Sequence, residues 1–469
     1  MKSIIIPQCY KSIIHKISIT ALENSFEAYI AGGFIRDLFI NREPKDLDII
    51  VCGGKTEMDK KLPGINFSRI LANKYKLSKP ILFEKFGTAK LYLDNKEIEF
   101  VMPRKEYYNM NSRNPYTQLA SLKQDALRRD FTINALFLRL SDMKILDLTH
   151  QGIKDIKNKI IRVTDTANAE IIFKQDPLRI LRAVRQSLQL NFKIEPQTFN
   201  AMKMSVSRIK IVSSERIRDE INKILTANNP SKAFILMLKI NLLNNILPEL
   251  QKLKQMKKYQ ASDFARTMDI MDCMRNDIVL RTAVLMHGIT KYPKCDKTYP
   301  YKHNNENIKE IKLILRRLRY SKKFIKKTVS VVQNSIYTKT YSSNWSDGMI
   351  RKFAKKCGNE LDLTIEFSKT YFKNNNLIKI NEIKKRIKDL KSKNILYNNP
   401  ILTGKEIIRI FDSPAGKWVQ NVKNKIEEIQ LENPKLTREQ AIKIVKTISN
   451  NNKRYHKQKK QTGIDNLAQ

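Results

Sequence analysis

Residues 43–51 read EPKDLDIIV. Asp46 and Asp48 stand two apart at the start of an apolar run, and side chains at i and i+2 of a strand point to the same side. Two like charges held together cost free energy unless water solvates both or a cation sits between them. A solvated strand edge is one outcome. The other is a hard divalent cation. Magnesium takes oxygen ligands and is commonly shared between one or two carboxylates and the phosphates of a substrate. Two such ions about 3.5–4 Å apart stabilise the entering and leaving oxygens of a phosphoryl transfer. A third acid would complete that arrangement, and Glu99, set between Ile98, Phe100 and Val101, is the best placed. Glu97 shares its parity but lies nearer a turn and reads as solvated.

Just upstream is GGFIRDLF, Gly32–Phe39. Gly32 and Gly33 close one strand and open a helix. Such a turn lets backbone N–H groups approach a phosphate, with the helix N-terminus favouring negative charge. Arg36, one helical turn in, is close enough to add a point of attachment. An ordinary tight turn is the alternative.

A third stretch, DPLRILRAVR, runs from Asp176 to Arg185. Asp176 suits a helix N-cap and Pro177 the first helical position. Asp176, Arg179, Arg182 and Arg185 recur every third residue, and such a row drifts about 60° per step around a helix. Asp176 and Arg179 are close neighbours, whereas Arg185 has turned about half way round, so the four do not share one job.

These residues need elements to hold them. EAYIAGG reads as a strand ending in the glycine turn, FIRDLFI as a short helix and LDIIV as a strand. TAKLYLDNKEIEFVM reads as two strands around Asp94-Asn95. From about Glu170 the pattern is almost all helix. In RIRDEINKIL, for example, Ile217, Ile221, Ile224 and Leu225 fall on one helical face. The punctuation of SKNILYNNPILTGKE places a boundary near 395.

The chain has 469 residues, room for about three or four domains. Its formal net charge is +43, which points to a polyanionic partner, nucleic acid first. AT-rich coding, which favours Lys, Asn and Ile, is a second source of that charge. The five cysteines contain no CxxC pair, which argues against a disulfide framework or structural zinc and fits a reducing cytosol. The first residues do not read as a signal peptide, and no run of about 18 apolar residues predicts a membrane span.

YIAGGFIRDLFINREPKDLDIIV resembles the signature of the class II tRNA nucleotidyltransferases and bacterial poly(A) polymerases, within the polymerase-β-like superfamily. RRDFTINAL (Arg128–Leu136), DPLRILRAVR and SSERIRDEINKIL (Ser213–Leu225) resemble that family's later motifs in the same order. The resemblance implies an α+β fold: a polymerase-β-like nucleotidyltransferase palm, a small mixed sheet with helices, followed by an elongated all-helical neck, body and tail. The expected divisions are a head at 1–165, a neck at 166–250, a body at 251–340 and a tail at 341–469.

It also implies two magnesium ions on Asp46 and Asp48, with Glu99 as the third catalytic acid. Gly32, Gly33, Arg36 and Arg129 would hold a triphosphate, with Asn134 a further nucleotide contact. Asp176 and Arg179 would read the base, Arg182 and Arg185 would hold phosphates or brace the site, and Asp130 would orient neighbouring arginines. The partners implied are CTP, ATP and the 3′ end of tRNA, with no membrane and a cytoplasmic location.

FEKFGTAKL (Phe83–Leu91), WSDGMIRKFAKKCGNELD and NPILTGKEIIRIFDSPAG resemble the CCA-adding branch rather than the poly(A) branch. VLRTAVLMHGI resembles a helix of an HD-type phosphohydrolase domain, but Gly288 follows His287 where Asp is expected. Gln260 and Arg266 stand where histidines are usual, leaving His303 as a single ligand-like residue. Two departures touch the nucleotide motif: Gln175 replaces an acid before Asp176, and Gln186 replaces an aromatic after Arg185.

Overall fold

The computed structural model describes residues 5–107, 116–253, 263–289, 304–372, 377–396 and 399–461. It divides into two compact units, one of residues 1–272 and 317–319, the other of residues 273–316 and 320–469.

The first unit opens with α1 (Gln8–Glu23), β1 (Phe26–Ala31), α2 (Gly33–Phe39), β2 (Leu47–Gly53), α3 (Glu57–Lys61) and α4 (Pro63–Lys74). Next come β3 (Ile81–Phe83), β4 (Thr88–Leu93), β5 (Lys96–Val101), β6 (Arg104–Tyr107), β7 (Tyr116–Leu119), α5 (Leu122–Arg128), β8 (Leu136–Arg139) and β9 (Ile145–Asp147). After α6 (Gly152–Asn158) and β10 (Ile160–Ile161) the chain turns helical: α7 (Ala169–Gln175), α8 (Leu178–Leu190), the two-residue β11 (Lys193–Ile194), α9 (Pro196–Ser205) and α10 (Ser214–Leu225). The expected mixed sheet followed by helices is therefore present. The tight turn between β4 and β5 holds Asp94 and Asn95 at φ 49° and 61°, a left-handed pair that short polar residues tolerate best.

The main sheet has the order β3-β4-β5-β2-β1-β8-β9, with β2 and β5 parallel and the other pairs antiparallel. Alternation along these strands gives the sheet two apolar faces. On one, Phe67 of α4 meets Phe26 and Phe100, with ring centroids 5.4 and 5.5 Å away. Gly64 lets α4 lie directly on β5, because a Cβ there would stand 2.9 Å from the Val101 backbone. Cutting Phe100 back to alanine would cost about 3–5 kcal/mol. On the other face Tyr29, Ala31, Ile50 and Phe137 pack against Ala126 of α5. Asp48 and Glu99 share parity with Ile50 and Val101, so they project on this second face, at the end where α5 finishes.

In α10 the buried side chains are Ile217, Glu220, Ile221, Ile224 and Leu225, which matches the face expected from spacing and adds one acid to it.

The second unit is helical throughout its described residues. Helices Asp347–Cys357, Leu361–Tyr371 and Leu377–Ser392 share a core that includes Ile350, Phe353, Ile365 and Ile383. Helices Gly404–Phe411, Lys417–Glu432 and Arg438–Gln461 share another around Ile407, Phe411, Val422 and Ala441. His287 is buried, with its ring 4.0 Å from that of Tyr371 and within 6 Å of Phe367 and Phe372. Its surroundings are those of a core residue. Arg266 is exposed. Gln260 and His303 lie outside the described residues. Cys9, Cys52, Cys273 and Cys357 are free thiols. No helix among the described residues is long and apolar enough to cross a membrane.

Candidate active site

The strand register gathers the first group. Asp48 of β2 pairs with Ala31 of β1 on one side and with Glu99 of β5 on the other. Ala31 is the last residue before the glycine turn, so the turn and two carboxylates lie side by side across three strands. Gly32 sits at φ 78° and ψ −141°, a backbone state open in practice to glycine. A Cβ there would stand 3.4 Å from Arg129 Nη1 and 3.5 Å from Asp48 Oδ2. Those are ordinary contact distances, so it is the positive φ, not crowding, that calls for glycine at this turn. Asp46 precedes the strand and is exposed, whereas Asp48 is half-buried. Burial, then the neighbouring Glu99 and Asp46 charges, push the Asp48 carboxyl up to about 6, although Arg129 pulls the other way. Glu97 is exposed and bonded to Lys90 and Tyr92, as its place near the turn suggested.

The second group hangs from α5 and the turn after it. Asp125, fully buried, accepts from Arg128 at 2.5 Å through Oδ1 and from Arg129 Nε at 3.0 Å through Oδ2. It also caps the Arg104 backbone N–H at 3.2 Å. Burial would raise this carboxyl, but Arg129 and Arg128 hold it below its ordinary range. Arg129 is further steadied over the Phe137 ring, 5.1 Å from its centroid.

The third group is a continuous polar network. Arg36 donates from Nε and Nη2 to Asp37, and from Nη1 to Asn134 Oδ1 at 2.6 Å. Asn134, buried, donates to Asp130 Oδ1 at 2.8 Å and Gln186 Oε1 at 3.1 Å. Arg182 places Nε and Nη2 on Asp130 Oδ2 at 2.9 and 2.6 Å. Burial works to raise the Asp130 carboxyl, yet Arg182 and Asn134 outweigh it and hold it far below the usual range. The Asp130 charge in turn raises Arg182. The expectation that Asp130 orients nearby arginines fits this geometry.

Helix α8 carries the rest. Asp176 Oδ1 accepts the Leu178 N–H at 3.2 Å and Oδ2 faces Arg216 at 3.4 Å; the cap position itself falls on Pro177, one residue later than expected. Arg179 is buried. Its Nη2 donates to the Arg128 carbonyl at 2.6 Å, while Nη1 is a buried nitrogen without a hydrogen-bond partner. Arg185 is bound to Glu220 at 2.6 Å and to Gln189 at 3.0 Å. The four members of the every-third-residue row do have different partners. Gln175 is exposed at the end of α7.

All twelve residues singled out in the sequence line one cavity of about 860 Å³: Gly32, Gly33, Arg36, Asp46, Asp48, Glu99, Arg129, Asn134, Asp176, Arg179, Arg182 and Arg185. Sequence reasoning passed over Asp125, Asp37 and Glu220, which neutralise arginines from behind. Asp125 had a signal: it lies three and four residues before Arg128 and Arg129, one turn back on a helix. Among the described residues no group of three or more His, Cys, Asp or Glu is close enough to hold a metal ion.

Residues 28–162 match the family model described as the poly A polymerase head domain, and residues 191–254 match the one described as the probable RNA and SrmB-binding site of polymerase A. The A-adding tRNA nucleotidyltransferase of Aquifex aeolicus is 34% identical over 231 residues, 48% of this chain and 26% of that enzyme. The chain thus spans about a quarter of that relative's length. The mitochondrial CCA tRNA nucleotidyltransferase of Candida glabrata is 24% identical over 89% of this chain and 90% of its own length. The Bacillus stearothermophilus CCA-adding enzyme, solved in complex with CTP, superposes with a TM-score of 0.68 at 20% identity, over 96% of this chain and all of the other, a likeness of fold. The two domain models match in order along the chain, around the motifs that resemble those of the class II tRNA nucleotidyltransferases and bacterial poly(A) polymerases.

Proposed function

We propose that the chain is a template-independent RNA nucleotidyltransferase that adds C, C and A to tRNA 3′ ends from CTP and ATP, releasing pyrophosphate. The observation that carries this reading is one cavity in which Asp46, Asp48 and Glu99 face the glycine turn, with Asp176 and Arg179 among its lining. In it, residues 1–165 act as the head, 166–250 as the nucleotide-selecting neck, 251–340 as a body and 341–469 as a tRNA-binding tail, in the cytoplasm.

The donor set fits magnesium. Asp46 and Asp48 offer hard oxygens, and burial, with the Glu99 charge, lifts the Asp48 carboxyl to about 6 despite Arg129. The side chains alone are too few for a closed cage, as expected where triphosphate oxygens supply the remaining ligands. When bound, two magnesium ions would lower the pKa of the terminal ribose hydroxyl and neutralise charge on the phosphates. Glu99 adds the third negative charge beside Asp48. Gly32 and Gly33 present backbone to the triphosphate, and Arg129 and Arg36 flank it.

Base choice falls to Asp176 and Arg179. An ionised Asp accepts from the exocyclic amino group of cytosine or adenine, and the unpartnered Arg179 Nη1 donates to a ring acceptor beside it. Guanine and uracil set a carbonyl against the acid and an N–H against the arginine, and a buried polar site rejects such mismatches strongly. Arg182 and Arg185, already paired with Asp130 and Glu220, brace this helix.

The test is incubation of purified chain with tRNA lacking CCA and, separately, with tRNA ending in CC, with CTP, ATP or both, then sequencing of the 3′ ends. CCA ends support the reading. Long A tails without use of CTP would show a poly(A) polymerase. Addition of A alone to tRNA ending in CC would show the second reading, which the 34% identity to an A-adding enzyme favours.

A further inference from the structure

We propose that Gln186 is a positioning residue that ties the phosphate-holding side of the site to its base-selecting helix. The inference rests on the nucleotidyltransferase reading and concerns a residue at which this chain departs from the pattern it resembles.

Gln186 lies on α8, immediately after Arg185, with only 3% of its surface exposed. Its Oε1 accepts from Asn134 Nδ2 at 3.1 Å and faces Arg36 Nη1 at 3.5 Å. Its Nε2 donates to Asp130 Oδ2 at 3.3 Å. That same carboxylate oxygen receives both bonds from Arg182. One carboxamide therefore joins Arg36, whose Nη2 would lie 3.1 Å from a Cβ on Gly33, to Arg182, one turn beyond Arg179.

The bridge has a fixed polarity. Turning the amide over would face its NH₂ to the Asn134 and Arg36 donors, and its oxygen to the Asp130 carboxylate. Every contact would become repulsive. With Asn134 held between Asp130 and Arg36, the network has one self-consistent arrangement, and it fixes both arginines. An aromatic ring at this position fills space but can neither accept from Arg36 nor donate to Asp130. Here packing is replaced by a directional link between elements 52 and 150 residues apart in sequence.

The test uses the full chain with Gln186→Met, which keeps length and volume but removes the amide. KM for CTP and ATP is measured on tRNA lacking CCA, with Kd for each nucleotide from equilibrium dialysis. The expected result is a rise of about five- to tenfold in KM and Kd for both nucleotides, with kcat within about twofold. Combined with Asn134→Ala, the two losses should be less than additive, because both cut one bridge. KM and Kd within twofold of wild type, additive losses, or a fall confined to kcat would overturn the proposal. If the wild-type chain binds nucleotides but adds none to tRNA, the functional reading fails while the Kd comparison still decides the role of Gln186. A wild-type chain that binds neither nucleotide overturns both.

Discussion

Asp48→Asn should make the metal-free protein more stable while abolishing nucleotide addition. In the folded chain the Asp48 carboxyl is lifted from 3.8 to about 6 by burial and by Glu99 and Asp46. A tenfold change in proton affinity corresponds to about 1.4 kcal/mol, so ionised Asp48 opposes folding by about 3 kcal/mol. Because the folded-state value is the higher one, the folded chain binds more protons than the unfolded chain between about pH 4 and pH 6. Stability therefore falls as pH rises through that window and levels off above it. The advantage of the Asn variant should be full at pH 8, halve near pH 5 and vanish near pH 4. The measurement is calorimetry in EDTA, where about 3 kcal/mol corresponds to about 5–10 °C in the transition of the first unit. Tryptophan emission will not serve, since Trp345 and Trp418 both lie in the second unit. Magnesium should raise the wild-type transition at pH 8 and leave the Asn variant nearly unmoved. A variant less stable than wild type in EDTA at pH 8, or a gain that persists at pH 4, would refute the claim that burial and the neighbouring acids outweigh Arg129 at Asp48.

Three further outcomes follow from the paired groups. Asp130→Ala strips the partner from Arg182 and Asn134 and should cost about 3 kcal/mol by thermal denaturation at neutral pH. Because the Asp130 carboxyl is depressed, this deficit should shrink as pH falls below the ordinary carboxylate range. Asp125→Ala removes an acceptor from Arg128, Arg129 and the Arg104 N–H at once, although Arg128 keeps Glu106; melting should show a loss of about 3 kcal/mol, and dialysis a weaker affinity for both triphosphates. Gly32→Ala forces a side chain onto φ 78° and should cost about 1–3 kcal/mol in urea titration, with nucleotide addition falling more steeply than stability explains.

Short-range physics made the head legible. The period of two along β2 and β5 sets Asp48 and Glu99 on one side as register neighbours, whereas Asp46, expected to share a strand face with Asp48, lies ahead of β2. The glycine turn and the Asp94-Asn95 hairpin are each decided within four residues, so local sequence suffices. By compactness the chain forms two units, one of residues 1–272 and 317–319 and the other of residues 273–316 and 320–469, a grouping that rests on long-range contacts rather than on local sequence.

The arginines are where local reasoning ran out. Sequence spacing showed that Arg179, Arg182 and Arg185 differ in direction, but not which of them would be neutralised. The acids that settle it are distant: Asp130 lies 52 residues before Arg182, and Glu220 lies 35 after Arg185. Nothing in a helical period encodes such a pairing, because it depends on how α8 and α10 pack against each other and on where the chain turns after α5. Once those acids are in place, the row resolves. Arg182 and Arg185 spend their charge on buried carboxylates, and Arg36 is bound to Asp37 and Asn134. Arg179 alone of the three on α8 keeps a buried guanidinium nitrogen without a partner. A buried donor left open carries a desolvation cost of about 1–3 kcal/mol that only an incoming acceptor recovers. The ring acceptor of cytosine or adenine is such a group. Arg179→Lys, which keeps the charge but loses the fork, should therefore relax the preference for CTP and ATP over UTP and GTP rather than simply weaken all four, and competition between nucleotides for addition reads out that difference.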